Sequence, residues 1–308
     1  MIVIVGPTCT GKTRLAVALA RKLWPAELLN ADSRQLRRGL RAGTCAPTQE
    51  EVGEVPCHLL DLADPGQEFT VAGWLEAARR ALEVVEARDA QPIVVGGTGL
   101  YVTALVEGYD FGGAPPDPAT RSQRTRIAET AAGRDQLAAE LTSREPSAAG
   151  RVDLRNPRRV IRALEILDAT GRLQDGRGSR PRAAVIIGVD APRELHEAWV
   201  RHRSEVMFRS GAILDEARAA LAGGYGAPAI AGCGIGYAEA LAVLEGAMTV
   251  DDAVAATTQR TLRYARSQRT YFRRDKRITW LHRSGPEADL IAAAMDAVAG
   301  GELSAQSV

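Results

Sequence analysis

A glycine-rich segment near the start of the chain restricts the fold more than any other feature of the sequence. Residues 6–13 match the pattern G-x-x-x-x-G-K-[ST] and consist of Gly6, Pro7, Thr8, Cys9, Thr10, Gly11, Lys12 and Thr13. They follow an apolar run, residues 2–5, and precede a stretch with helical apolar spacing, residues 14–23. A strand, a glycine loop and a helix in this order are typical of a phosphate-binding loop, whose backbone N–H groups face a polyphosphate. The segment is therefore predicted to bind a diphosphate or a triphosphate.

Two side chains of this loop have predicted roles. Lys12 supplies a positive charge to the phosphates, and Thr13 is the candidate ligand of Mg²⁺. The loop recognises phosphates whatever they are attached to, so the reaction must be inferred from the rest of the chain.

Composition and charge are those of an ordinary globular protein. The 308 residues are 45% hydrophobic, enough for one large domain or for a core with a smaller second domain. Residues 2–5 have no basic leader before them, and no apolar run reaches the roughly 18 residues that span a bilayer. We therefore expect a cytoplasmic protein with no membrane partner. The four cysteines lack C-x-x-C spacing and are expected to be free thiols.

Short apolar runs that end in polar or glycine residues indicate a parallel sheet. Besides residues 2–5, such runs occupy residues 27–29, 92–95 and 184–190. A helical pattern over residues 70–88, with Thr70 as its cap, separates two of them. This alternation predicts an α/β fold, in which a P-loop-containing parallel sheet is covered by helices and ligands gather at the carboxyl ends of the strands.

The strand signal is absent between residues 113 and 181. We therefore predict a small helical insertion domain, 113–181, within a core formed by residues 1–112 and 182–308. The insertion opens with proline-rich residues 113–116, and its clearest helix is capped by Asn156 and stops at Gly171. Arg162 of this helix either pairs with Glu165 on a solvated face or faces a partner.

The segment 257–277 is strongly basic although the formal net charge of the chain is only +1. Its arginines recur every three or four residues, and aromatic residues lie between them: Arg260, Arg263, Arg266, Arg269 and Arg273, with Tyr264, Tyr271 and Phe272. Such a helix can neutralise several phosphates and stack on bases. The alternative is a solvated basic helix whose aromatic residues pack into the core.

Taken together, these motifs resemble those of one family, the tRNA dimethylallyltransferases (tRNA isopentenyltransferases). The resemblance covers nearly the whole chain, in order, and the matching segments are residues 6–13, 30–35, 38–44, 55–65, 94–101, 156–172, 234–241 and 259–281. It implies transfer of a dimethylallyl group from dimethylallyl diphosphate to N6 of the adenosine next to the anticodon, position 37 of tRNA, with Mg²⁺ as the cofactor. The implied partners are the tRNA anticodon stem-loop and dimethylallyl diphosphate, and the chain is expected to act as a monomer.

The resemblance also implies roles for individual residues. Asp32 matches the general base, which must take a proton because an aromatic exocyclic amine is a weak nucleophile. Thr98 and Arg203 match the other catalytic positions, Arg203 near the diphosphate. Asp32 could instead cap a helix or assist Mg²⁺, and Arg203 could lie on a helix surface. The residues implied to contact tRNA are Asp32, Ser33, Arg34, Gln35, Thr98, Arg121, Arg158, Arg159, Val160, Ile161 and Arg162, while Asn30, Ser33 and Gln35 would position the adenine.

Several positions depart from the family pattern. Trp199 stands where an arginine is usual, and Arg34, Arg37, Cys45, Ala46 and Cys57 also differ. Three other functions remain open from the residues alone. The first is a P-loop small-molecule kinase, although the strand at 92–95 ends in glycines and not in an aspartate. The second is an adenylate (free nucleotide) isopentenyltransferase, and the third is an RNA-binding protein with an inactive nucleotide site.

Overall fold

The structure is a computed structural model that describes residues 1–111, 117–173 and 181–305. Clustering of contacts divides the chain into two compact units. The core unit comprises Met1–Glu107 and Arg180–Val308, and the insertion unit comprises Gly108–Ser179. The predicted proline-rich entry, residues 113–116, lies outside the described residues.

A six-stranded parallel sheet organises the core unit. Its strands are β1 (Ile2–Val5), β2 (Ala26–Asn30), β3 (Cys57–His58), β4 (Gln91–Val95), β5 (Val185–Asp190) and β6 (Thr279–His282). Their order is β3-β2-β4-β1-β5-β6, with every neighbouring pair parallel. Because β1 is buried between β4 and β5, all four of its residues are apolar and buried. The predicted α/β fold is confirmed.

Helices cover this sheet. Those of the core unit are α1 (Lys12–Lys22), α2 (Gln49–Val52), α3 (Val71–Glu86), α4 (Gly99–Val106), α9 (Arg193–Arg209), α10 (Ala212–Ala222), α11 (Ala227–Cys233), α12 (Tyr237–Leu244), α13 (Val250–Phe272) and α14 (Glu287–Ala305). Thr70 caps α3 by accepting a hydrogen bond from the Gly73 N–H, as predicted. None of the helices in the described ranges is long and apolar enough to cross a membrane.

Two apolar clusters stabilise the core unit. In the first, α1 and α14 pack on one face of the sheet, where Leu15 and Leu19 meet Ile4 and Ala294. The second lies among the C-terminal helices and includes Phe208 and Tyr237. Every buried CH₂ group contributes about 0.8 kcal/mol to the stability of the fold. These clusters therefore stabilise the packing of the sheet and of the helices that carry the site.

The insertion unit has a helical core of its own. Its described elements are α5 (Pro118–Ile127), α6 (Ala131–Arg144), α7 (Ala148–Arg151) and α8 (Pro157–Thr170). Asn156 caps α8 by accepting from the N–H groups of Arg158 and Arg159, and Gly171 ends the helix with a φ of 72°, as predicted. Leu137, Leu141 and Leu164 are buried at the centre of this unit.

Two strands and one helix boundary differ from the sequence prediction. β3 has only two residues, and β6 is half-exposed at the sheet edge, so neither produces a buried apolar run. The predicted basic segment 257–277 is helical only as far as Phe272, because Arg273 ends α13 and a turn follows. Arg274, Lys276 and Arg277 therefore do not continue the helical stripe.

Candidate active site

The phosphate-binding loop joins the end of β1 to the start of α1. Gly6 has a φ of 137°, and a Cβ atom at this position would lie 2.2 Å from the backbone oxygen of Val189. Only glycine lets the loop pass so close to β5. Gly11, with a φ of 88°, is the N-cap of α1, so the helix begins at Lys12. Glycine is therefore required at both positions, at the first because the loop approaches β5 closely and at the second because the backbone is left-handed.

Lys12 folds back over this loop. Its Nζ donates to the Pro7 carbonyl at 2.7 Å, and Thr10 Oγ1 donates to the same oxygen at 2.9 Å. Burial lowers the pKa of Lys12 to about 8, while the negative charge of Asp32 acts in the opposite direction. A partly desolvated ammonium group gains strongly from an anion placed beside it.

Gln268 of α13 connects the phosphate-binding loop to the turn after β4. This buried side chain accepts from the Thr8 N–H through Oε1 at 2.8 Å and donates from Nε2 to the Gly97 carbonyl at 2.9 Å. A Cβ atom on Gly97 would lie 2.1 Å from Gln268 Nε2, so the glycine turn leaves room for this contact. One side chain thus fixes two segments of the site.

A second buried side chain, His196 of α9, fixes the same loop residue. His196 Nε2 donates to the Thr8 carbonyl at 2.8 Å, and Nδ1 accepts from Arg269 at 3.1 Å. Arg269 in turn pairs with the Asp190 carboxylate at 2.8 Å. Burial, together with the positive charge of Arg269, lowers the pKa of His196. The neutral ring with a proton on Nε2 fits both contacts.

Arg203 of α9 also contacts the loop. Its Nη1 donates to Thr8 Oγ1 at 2.9 Å and to Cys9 Sγ at 3.1 Å. The guanidinium group therefore lies against the loop and not on the outer surface of α9, the alternative that the sequence left open. A second cation joins Lys12 at this place.

Asp32 lies two residues beyond the end of β2. One oxygen of its carboxylate, Oδ1, accepts from the Arg34 N–H at 2.9 Å, and its own N–H donates to Asn30 Oδ1 at 3.2 Å. The chain forms a turn after Asp32, and the next helix starts only at Gln49. Helix capping is therefore not its function here. The negative charge of Asp32 acts to raise the pKa of both Lys12 and Arg203.

Thr98 holds the Asp32 turn in place. Its Oγ1 accepts from the Ser33 N–H at 2.9 Å and donates to Ser33 Oγ at 3.1 Å. A Cβ atom on Gly96 would lie 2.2 Å from the Ala31 carbonyl, so the two turns are in close contact. A direct contact of Thr98 with the diphosphate stays a prediction.

The other polar residues of the turn after β2 support neighbouring loops. Asn30 Nδ2 donates to the Leu59 carbonyl at 3.1 Å, and Gln35 Nε2 donates to the Cys45 carbonyl at 2.8 Å. Arg34 Nη1 donates to the Gly232 carbonyl at 3.0 Å. Their predicted contacts with an adenine or with tRNA stay predictions.

A cavity beside Asp32 connects it to the phosphate-binding loop. Its lining combines polar, cationic and apolar groups: Thr8, Asp32, Arg34, Gly43, Thr44, Arg203, Ser204, Met207, Ile235, Thr261 and Tyr264. Burial, with the nearby charge of Asp32, raises the pKa of Tyr264 to about 12. Tyr264, predicted from the sequence to be one of the stacking aromatics of the basic helix, thus lines this cavity as a neutral phenol.

Sequence reasoning missed Gln268, His196 and the position of Tyr264. One signal was present for Gln268. It shares a helical face with Thr261, Ala265 and Phe272, all of which are buried, so a polar residue stands in an inward-facing position. Buried polar groups require partners, and here the partners are the two site loops.

The arginines of the insertion unit differ in their exposure and in their ion pairs. Arg121 forms a bidentate pair with Glu165 at 2.7 and 2.8 Å, and Arg162 contacts the same carboxylate at 3.3 Å. The expected pair of Arg162 with Glu165 is thus present, although Glu165 is buried and the face is not fully solvated, and contact of Arg162 with tRNA stays a prediction. Arg158 and Arg159 are exposed, and Arg159 Nη1 lies 3.9 Å from the Asp153 carboxylate.

Val160 and Ile161 do not fit the tRNA-contact prediction. Their side chains pack in the core of the insertion unit, 1% and 6% exposed. An apolar helix face that is buried in this way cannot present side chains to RNA. The basic residues of α8 that reach solvent are therefore the ones left to test.

The basic face of α13 is partly neutralised. Arg260 pairs with Glu239 at 2.6 Å, Arg269 pairs with Asp190, and Phe272 is buried. Arg263 and Arg266 are exposed, and the described residues offer them no ion pair within 4.0 Å. The predicted basic surface is thus smaller than the sequence suggests, and these two arginines form its centre.

The oxygen donors near the loop suit Mg²⁺. Thr13 is half-buried in the first turn of α1, next to the place where the loop receives phosphates. Mg²⁺ in phosphate-binding sites is held by one or two protein oxygens together with phosphate oxygens and water. The hydroxyl group of Thr13 fits this requirement.

The fold and the site define a class of protein. A phosphate-binding loop with two cations, next to a cavity that contains a carboxylate, is the site of a P-loop enzyme acting on a phosphorylated substrate. Two family models match the chain: IPP transferase over residues 35–275 and isopentenyl transferase over residues 1–64. The tRNA dimethylallyltransferase of Bifidobacterium longum is 39% identical over 294 residues, which cover 93% of this chain and 88% of the relative. The chain belongs to the tRNA dimethylallyltransferase family.

Solved structures agree with this assignment. The full-length tRNA isopentenylpyrophosphate transferase of Bacillus halodurans superposes with a TM-score of 0.71 at 32% identity, covering 97% of this chain and 95% of that one. A eukaryotic dimethylallyltransferase acting on tRNA gives a TM-score of 0.72 at 24% identity, covering 92% and 73%. The second likeness shows the fold alone.

Proposed function

We propose that this enzyme transfers a dimethylallyl group from dimethylallyl diphosphate to N6 of adenosine 37 in the tRNA anticodon stem-loop and releases diphosphate. The observation that carries the proposal is one cavity whose lining includes Thr8 of the phosphate-binding loop and the carboxylate of Asp32. Thr8, Arg203 and Asp32 lie in the same lining, and the diphosphate would lie beside Thr8 and Arg203. One cavity can therefore stabilise the leaving group of a prenyl transfer and supply its proton acceptor.

The loop side of the cavity would stabilise the departing diphosphate. As the C1–O bond of the donor breaks, negative charge accumulates on the leaving oxygen. Backbone N–H groups of the loop, Lys12 and Arg203 offer fixed positive potential where this charge develops. Mg²⁺, held by Thr13, would add Lewis-acid neutralisation of the diphosphate when bound.

The opposite side of the cavity would activate the acceptor. The N6 lone pair is delocalised into the adenine ring, so N–C bond formation is assisted by removal of an N6 proton. Asp32 would accept this proton, and Thr98 would keep the Asp32 turn in place through Ser33. The apolar surface of Met207 and Ile235 suits a five-carbon prenyl chain.

Exposed arginines would bind the RNA. Arg158 and Arg159 on α8 and Arg263 and Arg266 on α13 carry positive charge in solvent. Bases in a single-stranded loop cost only a few kcal/mol to unstack, so an anticodon-loop adenine can be drawn into a cavity. The monomeric state and the cytoplasmic location stay predictions.

The test is an incubation of the purified protein with Mg²⁺, dimethylallyl diphosphate and either unmodified tRNA or AMP, followed by mass analysis of the nucleosides. Asp32→Asn keeps the size of the side chain and removes the base, so it is expected to slow transfer to tRNA by about 10²–10⁴-fold. Asp215→Asn, on the exposed face of α10, is the matched control and is expected to have no effect.

The other outcomes also decide between functions. Prenylated AMP without prenylated tRNA would indicate a free-nucleotide acceptor and contradict the proposal. Wild-type transfer in Asp32→Asn would exclude Asp32 as the base. If neither product forms, and a separate incubation with ATP shows phosphoryl transfer, the protein would be a kinase.

A further inference from the structure

We propose that Arg283 is a third diphosphate-binding cation of this enzyme and that Trp199 positions it. The inference rests on the proposed function in one respect, that the phosphate-binding loop receives a diphosphate. It adds a residue from the far end of the chain that the sequence motifs do not indicate.

Arg283 emerges at the edge of the sheet where the loop lies. It directly follows β6, and its backbone N–H donates to the Asp190 carbonyl at 2.8 Å, next to the paired residues Asp190 and His282. Because β1, β5 and β6 are parallel, the carboxyl end of β6 is on the same side as the loop after β1. The backbone of Arg283 is therefore anchored beside the site.

The guanidinium group of Arg283 lies against the last loop residue before Lys12. A Cβ atom on Gly11 would be 2.8 Å from Arg283 Nη1 and 3.4 Å from Cζ. Gly11 is the N-cap of α1, and the first N–H groups of a helix, which have no partner within the helix, are the ones that receive phosphate. Arg283 thus adds its charge to the place where the helix dipole already favours an anion.

Trp199 of α9 holds the guanidinium group from another side. Arg283 Cζ lies 4.4 Å from the centroid of the Trp199 ring, in cation–π geometry. This contact restricts the side chain without using any of its five N–H donors. Within the described ranges, no carboxylate lies within 4.0 Å of Arg283 and no side-chain hydrogen bond satisfies it, whereas Arg269 on α13 is paired with Asp190. A half-buried arginine that is stacked but unneutralised is arranged to accept an anion.

The position of Trp199 gives a reason for a cation in the segment after β6. Trp199 is four residues before Arg203, so both side chains lie on the same face of α9. The resemblance to the family places an arginine where this chain has Trp199. We infer that the charge lost on α9 is supplied by Arg283, and that the aromatic ring serves as its support.

The test measures binding of inorganic pyrophosphate by the full chain with Mg²⁺, using calorimetry, so that no transfer reaction is needed. Arg283→Ala is expected to weaken pyrophosphate binding about 10- to 100-fold, as for a lost charge-assisted hydrogen bond. Arg283→Lys keeps the charge without the planar fork and is expected to lie between Arg283→Ala and the wild type. Trp199→Leu is expected to weaken binding severalfold, and Trp199→Phe less. Arg218→Ala, an exposed arginine paired with Asp215, is the control and is expected to bind like the wild type.

Three results would overturn the inference. The first is wild-type pyrophosphate affinity in Arg283→Ala. The second is weaker binding of an anticodon stem-loop RNA with unchanged pyrophosphate affinity, which would make Arg283 an RNA contact. The third is a wild-type protein that does not bind pyrophosphate. A wild-type protein that binds pyrophosphate but prenylates no RNA would contradict the proposed function and leave the role of Arg283 standing.

Discussion

Replacement of Gln268 by leucine should destabilise the core unit and loosen the phosphate-binding loop. Leucine has a similar volume but forms neither hydrogen bond of the glutamine. The buried Gly97 carbonyl then loses its donor, at a cost of about 1–3 kcal/mol, and the half-buried Thr8 N–H loses its acceptor, at about 1 kcal/mol because water can reach it. We expect a loss of about 2–4 kcal/mol in the free energy of unfolding.

The assay can follow the core unit alone. All four tryptophans of the chain, residues 24, 74, 199 and 280, belong to this unit, so their fluorescence during urea denaturation does not report on the insertion. Gln259→Leu, an exposed position on the same helix, is the control and should change the stability by less than about 0.5 kcal/mol. Pyrophosphate affinity should fall in Gln268→Leu and not in Gln259→Leu.

A second substitution, Gln268→Glu, tests which hydrogen bond the side chain accepts and which it donates. The carboxyl group introduced by Gln268→Glu can accept from the Thr8 N–H, but only its protonated form can donate to the Gly97 carbonyl. The stability deficit should therefore shrink as the pH falls from about 8 to about 5, where a buried carboxyl group begins to take up its proton. A Gln268→Leu protein as stable as Gln259→Leu, or a Gln268→Glu deficit that does not depend on pH, would refute the assignment of Gln268 as the link between the two loops.

Three further predictions concern charge and capping. Because burial places the pKa of Lys12 near 8 and only the protonated amine attracts an anion, pyrophosphate affinity should fall above about pH 8. Asp32→Asn should lower the pH at which the affinity begins to fall, because Asp32 raises the pKa of Lys12. Calorimetry from about pH 6.5 to about pH 9.5 would show this shift, and an unchanged pH dependence would contradict the electrostatic coupling between Asp32 and Lys12. Arg263→Ala with Arg266→Ala should reduce the slope of log K against log salt for stem-loop RNA by about 1.4–1.8, measured between about 50 and 200 mM salt, and an unchanged slope would remove both arginines from the RNA surface. Asn156→Ala should lower the stability of α8 by about 1 kcal/mol, measured as reduced protection of its amides from hydrogen exchange, with pyrophosphate affinity unchanged. Wild-type exchange rates in α8 would show that the cap contributes nothing to its stability.

Local sequence patterns were sufficient for the parts of the fold that are locally determined. The phosphate-binding loop, the buried strands at 2–5 and 92–95 and the caps Thr70 and Asn156 were predicted because each depends on residues within one turn or strand. β3 and β6 escaped because a two-residue strand and an exposed edge strand have no apolar run to detect. The approach of Asp32 to the loop followed from the parallel sheet, whose strand ends meet at one edge.

The missing parts of the site depend on contacts between distant segments. Gln268 and Thr8 are 260 residues apart, and His196 and Thr8 are 188 apart. In the sequence, Gln268 stands within a basic run, where its one signal is an inward-facing position on the helix, and Arg283 follows a weak strand and carries no local signal. The same tertiary packing removed Phe272 and Tyr264 from the predicted RNA surface, because a helix with charges on one side buries the other.

The distance between Thr8 and Gln268 has a consequence for how the enzyme is made. The loop leaves the ribosome before its bracing partner on α13, which is synthesised 260 residues later. At about 5–20 residues per second this interval is about 13–50 s. For part of this time β1 also lacks its neighbours in the sheet, because β4 begins at Gln91 and β5 only at Val185. A nascent chain stopped before α13 carries the complete phosphate-binding motif without the residues that brace it, so incomplete translation products should neither hold diphosphate tightly nor compete with the finished enzyme for the prenyl donor.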